Sequence, residues 1–155
     1  MTYDSWKDTL EHIQNVRFKL YQVVNDLLQR ALLHDMSKLE TPEKEVYDKY
    51  APMLRTLEYN SPEYKETLKK MKVGTDHHYA VSRHHPQYFA DSVDGMNLVD
   101  LIEMIVDWKA AGERHKEKPT DIFRSIEINC DDEHFKISPQ LKQILLNTAT
   151  YLWYE

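Results

Sequence analysis

At 155 residues, with 41% hydrophobic and 30% charged residues, the chain has the size and balance of one globular domain with a sizeable buried core. The net charge of −6 argues against an extended nucleic-acid-binding surface but leaves room for a small phosphate ligand in a local basic pocket. A single cysteine, Cys130, precludes an intrachain disulfide, no apolar run nears the roughly 20 residues of a membrane span, and the first residues lack signal-peptide character, so a cytoplasmic location is expected.

Only three glycines are available for turns, and none forms a phosphate-cradling loop, so helices are expected throughout. Ser5 reads as the N-cap of a first helix reaching about Gln29. Its apolar positions Leu10, Ile13, Val16, Leu20, Val23, Val24, Leu27 and Leu28 span a wide arc, which predicts a central helix with His12 at the edge of that arc. After a break near Arg30, a short helix is expected to carry the sequence Leu32-Leu33-His34-Asp35-Met36-Ser37-Lys38, which would set Lys38 over the same patch of space as His34 and Asp35.

Thr41-Pro42 and Ser61-Pro62 both read as helix starts. The first opens a helix through Leu57, with Pro52 as a bend; the second opens one through Leu68, Met71, Thr75, His78, Ser82 and His85, which Pro86 ends. Half of the eight histidines fall in the stretch from His77 to His85. Adjacent helical residues point about 100° apart, so one histidine of each pair should face inward, and the stripe favours His78 and His85 over His77 and His84.

Asp94-Gly95 reads as a turn and Asn97 as the cap of an apolar helix reaching about Arg114. Asp100, Glu103 and Asp107 share one side of it. Asp100 is explained as a first-turn carboxylate, whereas Asp107, between Val106 and Trp108, calls for a cation or a metal. Lys109, Arg114 and His115 make a basic end to that helix. Thr120 then caps a further helical segment, Asp131-Asp132-Glu133 forms an acidic loop, and a last helix starts at Ser138-Pro139 with Leu141, Ile144, Leu145 and Leu152 toward the core.

Imidazole and carboxylate ligands from several helices suit a divalent transition metal, with manganese, iron, zinc, nickel and cobalt all compatible. The order of these residues resembles the HD-domain superfamily of metal-dependent phosphohydrolases. Glu11 to Val16 is similar to that family's opening HxxxV helix, Leu32 to Lys38 to its HDxxK segment, and Val106 to Lys109 to the helix that supplies its aspartate. The resemblance covers residues 5–115 and implies an all-α, single-domain bundle of about six or seven helices. It sets residues 41–73 apart as an inserted helical pair and residues 120–153 as C-terminal helices.

The resemblance implies hydrolysis of a small phosphorylated, nucleotide-like substrate by metal-activated water. His12, His34, Asp35 and Asp107 would form a first site and His78 with His84 or His85 a second, His85 being favoured, for one or two ions, the pair bridged by Asp35 and about 3.5–4 Å apart. Lys38 and Arg83 would neutralise phosphate charge, and the histidine of the second cluster that is not ligated, His84 if His85 is the ligand, would serve as acid or base. Pro86-Gln87-Tyr88-Phe89 lacks the glycine-rich sequence of the cyclic-dinucleotide branch. A di-iron oxygenase and a non-enzymatic, metal-stapled interaction module are the alternatives, and the oligomeric state is left open.

Overall fold

The computed structural model describes residues 3–58, 61–114, 120–131 and 135–154, and it is all-helical, with no strand among the described residues. Six α-helices follow in order: α1 (Trp6–Leu33), α2 (Glu43–Leu54), α3 (Pro62–Val81), α4 (Leu98–Glu113), α5 (Ile122–Cys130) and α6 (Pro139–Trp153). Short 3₁₀ turns lie at Met36–Leu39, Pro86–Tyr88 and Ser92–Gly95. Among the described residues no helix is long and apolar enough to cross a membrane. The chain divides into two compact units, Met1–His34 and Asp35–Glu155.

The first unit is α1. Ser5 stands at its N-cap without a side-chain bond; instead Asp4 Oδ1 accepts from the Trp6 N–H at 3.0 Å. The helix runs unbroken through Arg30 to Leu33, where His34 caps it by donating its N–H to Arg30 O at 2.8 Å. The expected break at Arg30 is therefore absent. Within its own unit α1 has no buried residue. A single helix has no second layer within its own unit against which to bury an apolar arc.

In the second unit, Met104, Ile105, Ile122, Ile126, Leu145 and Ala149 form a buried core joining α4, α5 and α6. Of the residues expected to face that core from α6, Leu145 does, while Ile144 and Leu152 are exposed. Asn97 caps α4 as expected and forms a reciprocal capping box with Asp100. Asp121, one residue beyond Thr120, caps α5. Ser138 caps α6 through the Leu141 N–H. His115, Asp132 and Glu133 lie outside the described residues.

Helices α2 and α3 pack on each other and on the Met36–Leu39 turn. Ser61 caps α3 by accepting from the Tyr64 N–H. The buried stripe of α3 is Thr67, Met71, Gly74 and His78: Met71 and His78 face inward as expected, while Thr67 and Gly74 are buried in place of Leu68, which is exposed, and Thr75, which is half-buried. At Gly74 a Cβ would stand 3.0 Å from Val46 Cβ on α2, so glycine lets the two helices approach closely here. The helix ends at Val81, four residues short of His85, and Ser82 takes an extended conformation. Helix α2 supplies Glu43 and helix α3 supplies His77 and His78 to the site described next.

Candidate metal centre

Asp35 follows His34 in a left-handed backbone conformation, φ 58°, which aspartate tolerates better than most residues. It sits ahead of the 3₁₀ turn rather than on a helix, and the Lys38 N–H donates to its carbonyl at 2.9 Å. The turn brings Lys38 Nζ to 2.6 Å from Asp35 Oδ2, as the three-residue spacing led one to expect. Asp35 Oδ1 faces the other way, 3.3 Å from His78 Nε2 and 3.6 Å from His84 Nε2.

Three imidazoles converge at this point. His78, His84 and His85 each offer a ring nitrogen, and these nitrogens lie within 4.8 Å of one another. His78 Nε2 and His85 Nε2 are 3.0 Å apart, close to the roughly 3.3 Å separating two nitrogens on a tetrahedral zinc ion with bonds of about 2.0–2.1 Å. His78 and His84 are buried, and His85 is half-buried. Burial first, then the neighbouring His84 and His78, pushes the His85 pKa down to about 3, so this ring is neutral near pH 7 with a nitrogen lone pair to offer.

The ring nitrogens on the far side meet carboxylates. Glu43, the first residue of α2, is fully buried and spans two neighbouring histidines. His77 Nδ1 lies 2.8 Å from Glu43 Oε1, and His78 Nδ1 lies 2.9 Å from Glu43 Oε2. The second contact is close in distance but not an aligned hydrogen bond, and the hydrogen-bond partners of this nitrogen are Ser37 Oγ (3.2 Å) and Ser82 Oγ (3.1 Å). His84 Nδ1 is 3.2 Å from Glu103 Oε1 on α4. A carboxylate behind the imidazole orients the ring and directs the opposite nitrogen forward, the arrangement that supports metal-ligating histidines.

Of the residues singled out in the sequence, Asp35, His78, His84 and His85 are thus brought together. His84, one of the two alternatives for the second site, lies in this set beside His85. The ending of α3 at Val81 is the reason: past that point His84 and His85 leave the helical 100° stagger, and both can turn inward. Asp107 is half-buried, and its charge acts on His85. His12 is exposed on α1, and His34 stands at the α1 C-cap; both belong to the first unit.

The Arg83 guanidinium is paired with Asp100, with 41% of the side chain exposed. Its Nε and Nη2 donate to Asp100 Oδ1 and Oδ2 at 3.1 and 2.9 Å, and its plane lies over the rings of Tyr88 and Phe89. Asp100 is fully buried and also accepts from the Asn97 N–H at 3.0 Å. The pair fastens the histidine-bearing loop to the start of α4, one turn before Glu103.

Glu43, Glu103 and Asp100 escape a reading of the sequence. Glu43 and Asp100 occupy first turns, where a carboxylate is explained by the helix dipole alone. Glu103 carries a usable signal, since it shares a face with Asp100 and Asp107 on an otherwise apolar helix.

A family model described as "Family of unknown function (DUF5662)" matches residues 1–151. No curated protein and no solved structure matches the chain.

Proposed function

This chain belongs to the family of unknown function DUF5662, and from its site we propose a metal-dependent phosphohydrolase acting on a small, nucleotide-like phosphoester. One observation carries the reading. Three imidazole nitrogens, of His78, His84 and His85, lie within 4.8 Å of one another, and Asp35 Oδ1 stands 3.3 and 3.6 Å from two of these rings, behind which lie Glu43 and Glu103. A hydrogen-bonded cluster without an ion would leave this part of the molecule poorly balanced. Glu43 is fully buried with one oxygen imperfectly bonded, and a buried carboxylate is costly unless positive charge lies nearby. The phosphoester class rests on the resemblance of Leu32 to Lys38 and its neighbours to HD-domain hydrolases.

His78, His84, His85 and Asp35 would hold the ion. A divalent ion held there supplies a water of lowered pKa and a Lewis acid toward a phosphoryl oxygen. Glu43 and Glu103 keep His78 and His84 aimed at that point. Lys38 spends one of its three N–H donors on Asp35 Oδ2, which leaves two for a phosphoryl oxygen beside the centre. Arg83, fixed on Asp100, contributes position rather than charge to substrate.

The test is elemental analysis of protein purified without added metal, followed by phosphomonoester and phosphodiester substrates assayed with manganese, iron, zinc, nickel and cobalt in turn. The expected result is bound transition metal and ion-dependent turnover, both lost in His84→Ala. Metal-loaded protein that cleaves none of these esters would rule out the hydrolase. Protein that binds no transition metal would rule out the centre itself.

A further inference from the structure

We infer that Lys38 stands in for a second cation at Asp35, so that the centre takes one metal ion rather than a bridged pair. The inference rests on the metal-centre reading above and concerns only how many ions that centre admits. A carboxylate that bridges two ions gives one oxygen to each, at an ion separation of about 3.5–4 Å. Asp35 Oδ1 is turned toward His78 Nε2 and His84 Nε2, at 3.3 and 3.6 Å, and is the oxygen available to the histidine-held ion. Asp35 Oδ2 is the oxygen a second ion would need, and Lys38 Nζ lies against it at 2.6 Å.

This pairing differs from a loose surface ion pair in three respects. Both side chains are mostly covered, at 29% exposure for Asp35 and 31% for Lys38. They are spaced by a closed turn, in which the Lys38 N–H donates to the Asp35 carbonyl at 2.9 Å and Asp35 holds its left-handed conformation. The Tyr47 ring lies 5.8 Å from Nζ and adds a favourable surface for the ammonium. An ammonium so placed occupies the direction of approach to Oδ2 and also repels any cation drawn to it. Lys38 thereby satisfies the outer half of Asp35 with a fixed charge, and the histidine-held ion meets the other half.

Mn²⁺ is a suitable probe, because it accepts water in positions the protein does not fill and reports its own nuclearity by electron paramagnetic resonance. Metal-free protein is dialysed to equilibrium against excess Mn²⁺, the bound ion per chain is counted, and the spectrum is recorded. The wild type should bind one ion per chain with the spectrum of an isolated Mn²⁺. Lys38→Met keeps most of the stem and removes the charge; it should bind two ions per chain and show an exchange-coupled spectrum. Lys38→Arg retains the charge and should return the count to one. Circular dichroism establishes that each variant is folded, and if Lys38→Met is not, Lys38→Gln replaces it. Two ions in the wild type would overturn the inference while leaving the metal centre standing. One ion in both the wild type and the folded neutral variant would also overturn it, since something other than Lys38 would then set the count. A wild type that binds no ion would overturn the metal centre and this inference with it.

Discussion

Glu43 Oε2 lies 2.9 Å from His78 Nδ1, and both side chains are withdrawn from solvent. Glu43→Gln keeps the shape and removes the charge that favours a proton on Nδ1, so His78 loses its fixed orientation. Metal affinity should fall about 10–100-fold, measured by competition with a chelating dye. An unchanged affinity would show that Glu43 serves packing alone.

The two histidines that share Glu43 should separate cleanly by mutation. His78 is 2% exposed and faces the cluster, whereas His77 is 41% exposed and meets Glu43 from the outside. His78→Ala should lose more metal affinity than the roughly 10–100-fold of a supporting residue, and His77→Ala should stay below that range. Isothermal titration with zinc decides the order, and equal losses would mean that His77 also reaches the ion.

Arg83 and Asp100 give a stability prediction. Removing the guanidinium in Arg83→Ala leaves a fully buried carboxylate with fewer donors, at a cost of about 1.5–3 kcal/mol in denaturant unfolding. Arg83→Lys should recover only part of this, since one ammonium cannot reproduce the two-pronged contact. Full recovery by lysine would indicate that charge, not geometry, is what the loop requires.

Gly74 opposes two effects within a single substitution. Alanine is favoured over glycine inside a helix by about 1 kcal/mol. The added Cβ would stand 3.0 Å from Val46 Cβ, and overpacking of that kind costs about 1–3 kcal/mol. Gly74→Ala should therefore lower the melting temperature and disturb the approach of Glu43 to His78. A more stable protein would show that α2 can shift without cost.

Helix caps at Ser61, Asn97 and Ser138, and the apolar spacing of α4, were legible in the sequence because they depend on residues a few positions apart. Lys38 beside Asp35 was legible for the same reason. The pairing of Glu43 and Glu103 with the histidines they support was not, since 34 and 19 residues separate them; Glu43 has an ordinary local explanation in the first turn of its helix, and the face Glu103 shares with Asp100 and Asp107 points to no particular histidine. The inward turn of His84 was missed because a helix read through to Pro86 allows one inward histidine per adjacent pair. The structure instead ends α3 at Val81 and admits both.

The left-handed backbone at Asp35 restricts what this position can become. A replacement must tolerate φ 58° as well as supply, or lack, a ligand oxygen. Glutamate offers the oxygen but fits the backbone less well, and glycine fits the backbone but offers nothing. Asparagine alone keeps the conformation and the size while shedding the charge, so it is the substitution that isolates the carboxylate from the turn. For the same reason drift through alanine or glutamate would disturb the turn and the ligand together, which leaves the position few neutral routes of change.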